Sequence, residues 1–149
     1  MGGHFYYYFL PYQEDIESAL QALRTQEFEA GRYNPALPFP FDDWPSQTFG
    51  IASRKKHDSI QAAIEDSEAD GTRSILDMER VGKHADYGVV VQLSSDSLNN
   101  LYKTDRPTHQ MIMENMEFFE EIERGQGIYI VVYKDDSPSE ILFAGISYD

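Results

Sequence analysis

Three carboxylates, Glu114, Glu117 and Glu121, recur at the spacing that stacks side chains along one face of a helix. Inward-facing glutamates of this kind hold divalent cations in helical bundles, usually beside a Glu-x-x-His element. Here Met111, Ile112, Asn115, Met116, Phe118, Phe119 and Ile122 share the other face, and His109 lies too early to complete such a set. The glutamates are therefore expected to face solvent and the Met/Phe stripe to face a core. Neither a metal nor another cofactor is expected.

The densest polar cluster, Glu65 to Glu79, contains Gly71-Thr72-Arg73-Ser74, which at first sight offers a phosphate-cradling turn. It lies after the C-terminus of an expected helix, where the dipole is negative and repels anions. The chain contains no G-x-x-x-x-G-K and no G-x-G-x-x-G. The acids Asp66, Glu68, Asp70 and Asp77 lack the alternation and closing Glu of a calcium loop. Arg73 is instead expected to pair with a neighbouring acid and fix the turn, the alternative being a polar site at the end of a strand.

Four histidines, His4, His57, His84 and His109, fall in no His-x-x-x-His or His-Glu-x-x-His pattern. His84-Ala85-Asp86 supplies only two potential ligands. His57 is the candidate base, beside the local basic patch Arg54-Lys55-Lys56. No G-x-S-x-G marks a nucleophile, and the absence of cysteine removes thiol catalysis, disulfides and thiolate metal sites. No residue is assigned a catalytic role.

The segment from Gly31 to Phe49 carries the remaining signal. It holds Pro35, Pro38, Pro40 and Pro45, the sole tryptophan Trp44, and Tyr33, Phe39, Phe41 and Phe49. Proline lacks a donor and pushes its predecessor towards extended geometry, so a helix or central strand is excluded. Disordered segments are poor in aromatics, so this one is expected to pack as a binding loop or as a closed lid. Tyr and Trp dominate protein interfaces. Arg32 and the pair Asp42-Asp43 place charges beside these rings.

These groups need a scaffold, and 149 residues suffice for one domain with a real core. His4 to Leu10 reads as a strand ended near Pro11, and Glu14 to Phe28 as a helix stopped by Gly31. A short strand is expected at 48–52 and a helix from Asp58 to before Asp70-Gly71, with Gln61 in a capping-box position. Ser74 to Met78 and Tyr87 to Leu93 read as strands. Ser94 or Ser95 caps a short helix, and a long helix spans about His109 to Arg124. Ile128 to Tyr133 and Glu140 to Tyr148 form a hairpin around a turn longer than the tightest kind. The whole predicts a single α+β domain, with three to four helices on a mixed or mainly antiparallel sheet.

Twelve basic residues against 26 acidic ones give a formal net charge of -14. Too few basic residues remain to build a phosphate-binding face, so nucleic acid and anionic membrane surfaces are disfavoured as partners. No apolar run approaches the roughly 18 residues of a membrane span. The N-terminus lacks the features of a secretory signal or a myristoylation motif, which with the absence of cysteine fits a cytoplasmic address.

Two functions compete. The first is an interaction module that binds a protein, a basic one being attracted, through the Pro/aromatic loop; self-association through the same loop is a variant. The second is a small-molecule-binding domain or weakly marked enzyme. Its pocket would lie between loop and sheet, with Arg32, Tyr33, His57, Asp70 and Arg73 as polar contacts.

Overall fold

The aromatic run near the N-terminus forms strand β1 (Phe5–Pro11), and its side chains divide between two cores. Tyr6 and Tyr8 enter one core while Tyr7 and Phe9 pack on the other, as the two-residue period of a strand dictates. The computed structural model describes residues 3–34, 36 and 57–148. The expected strand at 48–52, the basic patch Arg54-Lys55-Lys56 and most of the Pro/aromatic segment lie outside them.

Helix α1 (Ile16–Ala30) is capped by Asp15, which accepts from the Ser18 amide at 3.0 Å. Helix α2 (Ile60–Ser67) starts one residue later than the expected cap, because Ser59 accepts from the Ala62 amide. Strands β2 (Arg80–Val81) and β3 (Val89–Gln92) precede helix α3 (Ser95–Tyr102), which Ser94 caps. Helix α4 (His109–Glu114), strand β4 (Gly127–Lys134) and strand β5 (Ser137–Ile146) complete the order.

The sheet runs β1-β5-β4-β3-β2. β1 and β4 pair antiparallel with β5, whereas β3 runs parallel to both β4 and β2, so the sheet is mixed. On one face, Tyr6, Tyr8, Ile141 and Phe143 meet Leu20, Leu23 and Phe28 of α1 and Ala63 of α2. On the other, Ile130, Val132, Leu142 and Ala144 meet Leu98 of α3, Ile112 of α4 and Phe118. Each face of β5 is thus covered by helices, and the α+β class with its C-terminal hairpin stands as expected. Among the described residues no helix is long and apolar enough to cross a membrane.

Three local expectations are corrected. Ser74–Met78 is not a strand: Ile75–Asp77 is a single 3-10 turn, because the Ser74 hydroxyl accepts from the Leu76 amide and starts it. The long helix breaks at Asn115, whose φ of -148° leaves the helical region. The Asn115 side chain accepts from the Glu117 amide and donates to the Leu101 carbonyl, and Tyr102 donates to the Asn115 carbonyl. These local bonds outcompete the helix, and a 3-10 turn at Glu117–Glu121 comes next, so Glu114, Glu117 and Glu121 share no helix face. The hairpin is tighter than expected. Asp135 and Asp136 both take positive φ, 51° and 64°, the signature of a two-residue mirror-image turn.

Candidate functional site

The C-terminus of α1 builds the first part of the site. Gly31 takes the left-handed conformation (φ 73°) that closes the helix and turns the chain back on itself. Arg32 then meets Glu27 with two bonds, Nε to Oε1 at 2.9 Å and Nη2 to Oε2 at 2.7 Å. Glu27 is fully buried and Arg32 nearly so. The bond to Glu27 raises the guanidinium's pKa further above its already high value. A charge pair this deep is costly to expose on one side alone, so it fixes the path of the chain into Tyr33.

Tyr33 is fully buried and stacked on Phe28, with ring centroids 5.8 Å apart. Its hydroxyl lies 2.8 Å from Nδ1 of His57, and Nε2 of His57 lies 2.9 Å from Oδ2 of Asp66 on α2. A neutral imidazole with its proton on Nε2 satisfies both contacts, the tyrosine donating to Nδ1 and Nε2–H donating to the carboxylate. This is the order of a nucleophile, base and orienting acid. The hydroxyl that would be the nucleophile is fully buried. The chain of contacts ties position 33, inside the Pro/aromatic segment, to position 57, eight residues beyond its end at Phe49.

The second part is the turn after α2. The Asn34 amide donates to the Thr72 carbonyl at 2.8 Å, and its side-chain nitrogen donates to the Gly71 carbonyl at 3.1 Å. The loop base is thereby clamped onto Gly71-Thr72-Arg73-Ser74. That turn is closed by Asp77: the Thr72 amide and the Thr72 hydroxyl both donate to Oδ1 at 2.8 Å. Gly71 has φ 75° and ψ 174°, a region essentially reserved for glycine. Arg73 is expected to pair with a neighbouring acid; Asp70 approaches it only to 3.9 Å and is more than half exposed, so this pairing is loose.

Asp77 is the residue that sequence reasoning passed over. Its carboxyl is 6% exposed, and burial pushes its pKa up to about 6 against the opposing pull of the Thr72 donors. Its Oδ2 and the Tyr6 hydroxyl are both buried with no hydrogen-bond partner among the described residues. Isoleucine, leucine and methionine on either side of a lone aspartate, ILDM, were the available signal that it points inward. Glu27 and Asp66 were likewise missed, since they sit on helices whose polar residues read as solvated.

Of the expected contacts, Arg32, Tyr33, His57, Asp70 and Arg73 belong to this one region, whereas Phe39, Phe41 and Trp44 lie outside the described residues. Clefts of about 300 and 510 Å³ open elsewhere. The first lies between Ser94, Arg106 and Tyr133, the second between Val81, Gln92 and Tyr129. No set of three His, Asp or Glu side chains gathers to hold a metal among the described residues. Neither a family model, nor a curated protein, nor a solved structure matches the chain. Geometry and chemistry alone therefore carry the functional argument.

Proposed function

We propose that the protein is an interaction module that docks a protein partner, a basic one by charge, on the Pro/aromatic segment 31–49. One observation supports the reading: Tyr33, inside the segment, and His57, eight residues beyond its end, are joined to each other and to Asp66 of α2 by contacts of 2.8 and 2.9 Å. Arg32, Tyr33 and His57, which a pocket would need as ligand contacts, spend their polar atoms on Glu27, on each other and on Asp66. A network satisfied from within is a frame rather than a receptor. What it frames is a stretch whose Phe39, Phe41 and Trp44 supply the anchor types of protein interfaces. The net charge of -14 speeds encounter with a basic partner and gives nucleic acid no counter-charge. A chain without cysteine also suits a reducing, cytoplasmic address.

A small-molecule site between loop and sheet is the second reading, favoured by the buried Asp77 Oδ2 and Tyr6 hydroxyl, which have no hydrogen-bond partner among the described residues. Affinity capture from the source cell, wild type against Trp44→Ala, separates the two. The interaction reading predicts a protein lost from the Trp44→Ala capture and dependent on ionic strength. An identical set of captured proteins for both baits contradicts it.

A further inference from the structure

Two tyrosines stand out among the exposed large side chains: Tyr87 at 65% and Tyr148 at 37% relative exposure. Their ring centroids are 5.9 Å apart with the planes inclined by 42°, so together they form an open, two-walled corner. Both walls are held by glycines. At Gly125 (φ 80°) a Cβ would lie 2.5 Å from Tyr148 Cε1 and 2.6 Å from Tyr87 Cδ1, so only glycine lets the two rings approach there. On its other edge Tyr148 abuts Gly71, where a Cβ would lie 2.8 Å from Tyr148 Cδ2 and 2.8 Å from Asp77 Oδ2. The buried carboxylate oxygen, without a hydrogen-bond partner among the described residues, and the tyrosine thus both pack against Gly71.

The corner is also acidic. Glu79, bonded through its amide to the Gly88 carbonyl at 2.7 Å, sits beside the residue that comes after Tyr87. Asp86 accepts from the Tyr87 amide at 2.7 Å. Tyr148 is held above its ordinary pKa by burial first and then by the negative charges of Asp77 and Glu79, which places both within electrostatic reach of the ring. Arg24, within electrostatic reach of Glu79, Glu17 and Asp77, donates to Gln21 and to the Leu76 carbonyl. Among the described residues no Lys or Arg of this chain covers either ring; the cation–π contact that does form is Arg106 over Tyr133, on another face.

We infer that the Tyr87–Tyr148 corner is a subsite for one cationic side chain, Lys or Arg, of a basic protein partner, the ammonium or guanidinium lying against the rings with Glu79 as counter-charge. Aromatic faces attract cations through their quadrupole, and a carboxylate beside them adds charge and a hydrogen-bond acceptor. The corner adjoins the mount of the loop, because Gly71 receives the Asn34 side chain on one side and faces Tyr148 on the other. The inference deepens the interaction-module reading by naming what the partner presents.

The test titrates hexa-arginine and, separately, hexa-lysine into protein labelled with ¹³C in its tyrosine rings, at low ionic strength, with hexa-glutamate as control. The largest ring shifts are expected at Tyr87 and Tyr148. Tyr87→Ala, at an exposed position, weakens binding by about 2- to 5-fold, and Tyr87→Phe retains it. Equal affinity for wild type and Tyr87→Ala, shifts spread evenly over the acidic surface, or equal binding of hexa-glutamate overturns the subsite. If Tyr87→Ala leaves peptide binding unchanged while Trp44→Ala loses a partner, the subsite falls and the loop reading stands. The reverse pattern removes the loop reading and leaves the subsite.

Discussion

Asp77→Asn should flatten the pH dependence of stability, because it removes a buried carboxyl. The folded carboxyl titrates at about 6 against an ordinary value of 3.8, so the native state holds a proton through a range in which the unfolded chain has lost it. Stability therefore falls as pH rises between these values, the reverse of a salt-bridged aspartate, and the penalty is constant above them. At ~1.36 kcal/mol per unit, the ionised carboxyl costs about 3 kcal/mol at pH 7. Asparagine keeps an Oδ1 that accepts from the Thr72 amide and hydroxyl, as Asp77 Oδ1 does at 2.8 Å, and it removes the charge. Its new amide donors take the place of an oxygen that has no partner among the described residues, a pH-independent cost of roughly 1–3 kcal/mol. The informative quantity is thus the difference between the two proteins as pH changes. Urea unfolding from pH 4 to pH 7 should show Asp77→Asn gaining about 2.4 kcal/mol relative to wild type across that span. In thermal scans this corresponds to roughly 5–10 °C for a chain of this size. Parallel pH profiles for the two proteins would refute the claim that a buried, ionised Asp77 carries a stability cost.

The charge pair under the loop and one helix end give two further tests. Arg32→Met leaves Glu27 buried without its bidentate partner and should cost about 3–5 kcal/mol, read by denaturant midpoint; a change below 1 kcal/mol would mean that Glu27 reaches solvent. Lys103 closes α3 in the left-handed region at φ 62°, where glycine is favoured, so Lys103→Gly should stabilise by about 1 kcal/mol, with no change expected at the loop mount. A destabilised Lys103→Gly protein would show that the lysine side chain matters more than its backbone.

Much of the fold was written in local signals. The continuous aromatic run FYYYFL, the stop at Gly31 after α1, the serine before α3, and the two apolar runs around Asp135-Asp136 each act within a few residues, and each element formed where they stand. The misreadings share a cause. Ser74–Met78 has the composition of a strand, but Ser74 spends its hydroxyl on the Leu76 amide and turns the chain. Asn115 sits on an apolar stripe and would be tolerated in a helix, were it not for Leu101 and Tyr102 reaching it from α3. β2 is two residues long and exists only because β3 is beside it.

The site was legible as a set of residues and illegible as an arrangement. Tyr33 and His57 stood out singly, but nothing in the sequence couples positions 24 apart, nor marks Asp66 as the third member. Glu27 was hidden for a different reason. A glutamate near the end of an amphipathic helix reads as solvated, and only the reversal at Gly31 brings Arg32 back to bury it.

The central claim, that segment 31–49 is presented on a fixed mount for a partner, is tested most directly by acrylamide quenching of Trp44, the sole tryptophan. The account predicts ready quenching in the free 17 kDa protein and protection when the captured partner is added. A tryptophan already shielded in a monomer of that mass by sedimentation would contradict it.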